Sequence, residues 1–281
     1  MDLRTASLWA DCAKGVAQSG AGFHYTSNPA YPECAPFETA AGQARMVDYV
    51  ARNWSGCRPA PGEDPCHKQY HYTDVSIERR AYSREDMGTS DHDVVAAVQA
   101  AVRVLQDATP PAPFRIKDKT EAVLLLAHLV GDLHQPLHVG AIYLDHRGRE
   151  VDPDRAPFDP RSNTRGGNLL LDHGVAFHRE WDDVPVRLNA EHLGRSATAR
   201  ARRVPATHGP PADWPALWAT QTLRLGPATF GGIAIAGEDA ARHTWSITLP
   251  RGYDTARTRI QERQLILAGA RLAQILSVVL P

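Results

Sequence analysis

Residues 127–138 read AHLVGDLHQPLH. Three histidines and an aspartate (His128, Asp132, His134 and His138) interrupt an otherwise apolar stretch. Burying such groups together is costly unless partners or a metal compensate, and that requirement limits what the chain can fold into. His128 and Asp132 stand four apart on a predicted helix, so they share one face and lie one turn apart. An imidazole and a carboxylate in that relation can share a divalent cation. Pro136 lacks an N–H, would collide with the carbonyl of Asp132 in a continuing helix, and pushes Gln135 out of helical geometry. The break turns His138 toward a second nearby point and leaves Asp132 free to bridge two cation positions. His178 and Asp182, in FHREWD, repeat the four-residue spacing on a second predicted helix. A third such pair, His146 and Glu150, falls in a loop-like segment. Spacing alone does not separate a metal site from a hydrogen-bonded His–Asp pair. His134 fits neither cation position and reads as a residue behind the ligands or on the surface.

Around this stretch, helical periodicity dominates. Helices are predicted over 46–54, 92–108, 118–133, 176–190 and 213–224, with a long closing helix from about 254 to 280. Asp118 and Glu121 are capping-type residues at the head of the third. Strand signals are few, the best being YHYTDV (70–75) and GNLLLDH (167–173). Proline- and glycine-rich stretches at 55–66, 109–114, 148–167 and 204–215 read as loops between helices. The candidate ligands run along much of the chain and must converge. The expected fold is therefore all-α, one mostly helical domain over 1–281 with few short strands, in which 12–70 forms a long cysteine-containing insertion or loop region.

Acidic residues (32) balance basic ones (31) in a chain of 281 residues, so no gross positive field argues for nucleic-acid binding. Thirteen histidines favour metal chemistry. Cys12, Cys34, Cys57 and Cys66 cluster early, which suggests one or two disulfides and an oxidising compartment. Their spacing fits no standard zinc knuckle. The opening MDLRTASLWADC carries Asp2 and Arg4 where a signal peptide is apolar. The apolar tail 265–280 has Arg271, Gln274 and Ser277 every third residue, a polar stripe on a packed helix too short and too marked to span a bilayer.

HLVGDLHQPLH, followed by GGN (166–168) and HREWD (178–182), closely resembles the zinc-dependent type I nucleases: the single-strand-specific nucleases of fungi, the bifunctional nucleases of plants and their bacterial relatives. The likeness extends to LWADC (8–12), HYTD (71–74) and LILAGARLAQIL, in the same order along most of the chain. It implies a mostly helical fold shared with bacterial zinc phospholipases C and a three-zinc cluster. Carried over by position, Asp11, His71, His128 and Asp132 would ligate one zinc. His138, His178 and Asp182 would ligate a second, and Asp132 would bridge to a third. Asp74 would orient the attacking water, Lys14 would stand in the place of a phosphate-binding arginine, and Asn168 would contact the substrate. Trp9 and Trp181 are expected to pack beside the ligands. The implied activity is a zinc-dependent endonuclease, hydrolysing single-stranded DNA or RNA to 5′-phosphates through a metal-activated hydroxide, with 3′-nucleotidase activity as an addition. The protein would be secreted or periplasmic and monomeric, with no stable protein partner and no membrane association.

Several positions depart from the family pattern. The N-terminal tryptophan and the histidine that hold the third zinc have no counterparts ahead of Asp11. The expectation is a native chain that starts upstream, with a signal peptide; the alternative is a shortened protein holding two zincs. Ala176 and Phe177 replace Asn-Leu, WATQT (218–222) replaces Trp-Ala-Asn-Glu-Ser, and Lys14 keeps the arginine's charge without its bidentate fork. Two competing readings remain, a zinc phospholipase C and a non-catalytic helical protein stabilised by metal.

Overall fold

The computed structural model describes residues 2–155, 157–188 and 190–280, with only the backbone described for Ala190, Glu191 and Leu193. The chain opens with α1 (Leu3–Ala13), capped by the Asp2 side chain on the Thr5 N–H. A hairpin, β1 (Val16–Ser19) and β2 (Gly22–Tyr25), leads to α2 (Ala40–Arg52) and the single-turn α3 (Cys66–Gln69). After β3 (Val75–Ser76) come α4 (Val94–Leu105) and α5 (Lys119–Asp132). Then follow β4 (Gly140–Ala141), β5 (Leu170–Asp172), β6 (Val175–Ala176) and α6 (Phe177–Asp182). The remaining elements are α7 (Ala190–Ala201), α8 (Trp214–Leu223), α9 (Gly226–Phe230), β7 (Ala234–Asp239), β8 (Thr244–Thr248) and α10 (Tyr253–Val279).

The fold is mostly helical, as its periodicity implies, and the helix starts are set by side chains. Thr39, Asp93 and Asp118 each accept the backbone N–H three residues on, satisfying a donor that a helix start leaves orphaned. Helix α2 consequently begins well before residue 46, and α4 is shorter than 92–108. The expected helix over 176–190 ends instead at Asp182. Pro185 disfavours helical geometry at Val184, and Asp183 already has ψ of 89°. Of YHYTDV, only Val75 enters a strand, pairing in parallel with Gly140. The N–H groups of Thr73 and Asp74 go to the carbonyls of His138 and Gly88, so this stretch is held as a connected loop. The hairpin β7–β8, which joins β5 and β6 in a four-stranded sheet of order β6-β5-β8-β7, was not among the expected strands.

Two apolar clusters form the interior. The larger gathers α1, α2, α4, α5 and α8 with the end of α10, around Trp9, Tyr49, Leu126 and Trp218. The smaller packs α6, α9 and the four-stranded sheet around Phe177, Trp181, Trp245 and Tyr253. Disulfides join Cys12 to Cys34 and Cys57 to Cys66. The apolar tail is the inner end of α10, and its polar stripe is split. Arg271 is buried against His134, while Ser277 stays outside. Among the described residues, no helix is long and apolar enough to cross a membrane.

Candidate metal centre

Two sets of donors converge where the larger cluster meets the smaller. The first is His71 Nδ1, His128 Nε2 and Asp132 Oδ2. His71–Asp132 measures 2.9 Å, His71–His128 3.1 Å and His128–Asp132 3.1 Å. The second is His138 Nε2, His178 Nε2 and the Asp182 carboxylate. Here the two Nε2 atoms lie 3.2 Å apart, with Asp182 oxygens 3.2 and 3.4 Å away. Donors 2.0–2.1 Å from a tetrahedral zinc stand roughly 3.3 Å from one another, so both triangles have the dimensions of such a face.

The local fold explains the aim of each ring. Helix α5 presents His128 and Asp132 one turn apart, and α1 packs along it. His128 Nδ1 donates to the carbonyl of Ser7 on α1. Past Asp132 the chain turns at Gln135 into a 3-10 turn, Pro136–His138, as the proline requires. His138 Nδ1 then donates to the carbonyl of His71, so the backbone of one set orients a ring of the other. The glycine turn Gly166–Gly167 offers its first carbonyl to His178 Nδ1. A carbonyl only accepts, so in all three rings Nδ1 carries a proton, and in the neutral ring Nε2 is left to present a lone pair. With both rings neutral, His138 and His178 face each other lone pair to lone pair, an arrangement that asks for a cation between them, either a metal ion or a second proton on His138.

Charge responds accordingly. Burial would lower His138, but the carboxylates of Asp132 and Asp182 outweigh it and raise its pKa to about 9. His178 falls to about 4 through burial and the neighbouring His138. Burial works against ionised Asp132, yet His128 and His138 hold its carboxyl well below the usual range. Asp132 also lies 3.9 Å from the His138 ring, between the two sets.

The other expected residues fall into place unevenly. Asp11 stays outside the first set and instead binds Lys14 at 2.8 Å. Although its side chain is half exposed, partial desolvation works against its charge; Lys14, His128 and His71 outweigh that and lower its pKa, so it borders the centre. Lys14 in turn is raised, because Asp11, Asp132 and Asp182 outweigh its desolvation. Asp74 is buried, which lifts its carboxyl to about 6. Its Oδ1 has no hydrogen-bond partner among the described residues, and its Oδ2 accepts from Asn163 at 2.9 Å. Asn163 lacked any sequence signal; the asparagine singled out in GGN, Asn168, is exposed and closes a turn on the Arg165 carbonyl. His134 is neither on the surface nor among the donors. It is buried, donates to Val130 and receives Arg271. Trp9 and Trp181 are fully buried packing residues, as expected. His146 and Glu150 join neither donor set.

The S1/P1 nuclease family model matches residues 60–281. The chain belongs to the S1/P1 nuclease family. Among curated proteins of Arabidopsis thaliana, it is 28% identical over 169 residues to Endonuclease 3, covering 56% of this chain and 51% of that protein. Endonuclease 4 is 30% identical over 166 residues, covering 56% and 50%. Endonuclease 1 is 33% identical over 87 residues, covering 29% and 28%. The chain thus spans about half the length of the longer-matching relatives. The matched segment contains every donor of both sets.

Proposed function

We propose that the chain is a zinc-dependent endonuclease that hydrolyses single-stranded DNA or RNA to 5′-phosphates. The observation that carries this reading is the facing of His138 Nε2 and His178 Nε2 with both Nδ1 protons committed to carbonyls. Imidazole and carboxylate donors in tetrahedral spacing suit zinc, and membership of the S1/P1 nuclease family supports the activity. Zinc supplies Lewis acidity, polarising phosphate oxygens and making an attacking water more acidic.

The chain's own residues do the rest. His71, His128 and Asp132, with Asp11 as the fourth candidate, hold one ion; His138, His178 and Asp182 hold the other. Asp74, with one oxygen fixed by Asn163 and the other unpartnered, accepts a hydrogen bond from the attacking water and orients it. A pKa of about 6 keeps it ionised at neutral pH yet basic enough to take a proton. Were Asp11 to ligate an ion, Lys14, now paired with it at 2.8 Å, would be free to meet a phosphate with its ammonium. His71 and His138 are recessed, with side chains 3% and 9% exposed, which favours an unstacked, flexible strand over a rigid duplex. The two disulfides favour a secreted or periplasmic setting.

The test pairs metal analysis with substrate comparison. Purified protein is expected to carry at least one zinc per donor set, to cleave single-stranded DNA faster than duplex and to leave 5′-phosphate ends. Turnover of phosphatidylcholine with single-stranded DNA untouched would move the protein to the phospholipase reading.

A further inference from the structure

The near-neutral charge of the whole chain conceals a strong local imbalance. Residues 192–212 contain Arg195, Arg200, Arg202 and Arg203 and no aspartate or glutamate. All four arginines are exposed on or just past α7. Helix α7 packs on α10, and Arg200 pairs with Glu262 of that helix. Flanking Glu262 on α10 are two more exposed arginines, Arg259 and Arg263. Apart from Arg200, none of these guanidinium groups has a side-chain partner among the described residues. Five positive charges on and just past two packed helices, without side-chain partners among the described residues, repel one another, and a polyanion relieves that repulsion.

We infer that the α7–α10 face is a docking track for the continuing sugar-phosphate backbone of a single-stranded substrate, beyond the phosphate being cut. The track connects to the metal centre along the chain, so a strand long enough to leave the site and pass around α10 reaches it. On the turn of α10 around Glu262, Gln261 holds α6 by donating to the Trp181 carbonyl at 3.0 Å, while Arg259 and Arg263 stand on the opposite, outer side of the helix. Helix α6 supplies His178 and Asp182, and the chain leaves Asp182 to enter α7 after one short 3-10 turn, Val186–Leu188. Arginine suits the role because its fork meets phosphate oxygens in pairs. The face reads backbone charge only, so it adds length preference without sequence preference.

The inference takes the identity of the strand from the nuclease reading, and the test separates the two. Zinc-loaded protein is titrated with a fluorescein-labelled, cleavage-resistant 30-nucleotide phosphorothioate strand, and binding is followed by anisotropy. The triple variant Arg195→Gln, Arg202→Gln, Arg203→Gln is expected to bind about tenfold more weakly at low salt. Its log K against log salt should be shallower by about 2, since each phosphate contact on a single strand contributes roughly 0.7. Hydrolysis of a dinucleotide should be unchanged while kcat/KM on a 30-nucleotide phosphodiester strand falls. Unchanged affinity and salt slope would overturn the inference, even if the protein cleaves DNA. So would loss of binding to anionic phospholipid vesicles with strand binding intact. Patch-dependent strand binding without cleavage by the wild type would uphold the track and sink the nuclease reading.

Discussion

Asp74 shows how a single side chain sets stability against chemistry. Burial raises its carboxyl to about 6, so the folded protein holds that proton more tightly than the unfolded chain does. Ionisation therefore costs stability, fully above pH 6 and not at all below the ordinary carboxylate value, by about 3 kcal/mol at most. Asp74→Asn should raise Tm at pH 7, with the gain shrinking toward pH 4, while kcat falls by about a hundredfold or more. An unchanged Tm at pH 7 would contradict this account. Wild-type activity should fade below about pH 6 as the carboxylate protonates. A second prediction concerns His138, which is protonated at pH 7 in the metal-free chain because its pKa lies near 9. Zinc must displace that proton, so binding at pH 7 should release at least one proton. Calorimetry in buffers of differing ionisation heat measures it, and zero release would refute it. His128, Asp132, His138, His178 and Asp182 were legible in the sequence because helix spacing and Pro136 carry geometric information, whereas His71 came only with the family resemblance around HYTD. Asn163 was not, since a loop asparagine reaching across to Asp74 leaves no periodic trace.

At the level of elements, the centre depends on short pieces with enforced shapes. Helix α6 is only six residues long, yet it must hold both His178 and Asp182. Its hold on the ring runs through Gly166, whose φ of 56° is in the left-handed region. A Cβ there would run into the Leu137 carbonyl oxygen. Gly166→Ala should therefore shift the turn and its contact with His178, weakening the second metal set and sparing the first. Zinc content is expected to drop by about one ion per chain with the fold retained, and full metal content would count against this view of the turn. Long periodic helices such as α5, α8 and α10 were readable, as each repeats an apolar face over several turns. The hairpin β7–β8 was not. AIAGED in β7 is weakly apolar and largely exposed, so its strand state comes from pairing with β8 and not from its own residues.

Across the whole molecule, the donor sets sit on the seam between the two apolar clusters. His128 and Asp132 extend from α5 in the larger one, and His178 and Asp182 flank Trp181 of the smaller. Metal removal should thus weaken the joint between them as well as stopping activity. A ligand at a hundred times its Kd stabilises by about 2.7 kcal/mol, so chelation should lower Tm by several degrees. It should also broaden or split the calorimetric transition; a single sharp endotherm with unchanged Tm would refute the seam. The mostly helical architecture was evident from the helical periodicity along the chain. The division into two clusters was not, because it depends on which faces meet.

One feature of the centre bears on how such a protein can drift over generations. The proton-bearing sides of His128, His138 and His178 are all held by main-chain carbonyls, those of Ser7, His71 and Gly166. An orienting partner built from backbone is present whatever side chain the position encodes. Point mutation at Ser7 can thus wander freely in chemistry without untuning the ring above it, so long as α1 keeps its course. The ligands themselves are brittle to mutation, while the support behind His128 is inherited with the fold.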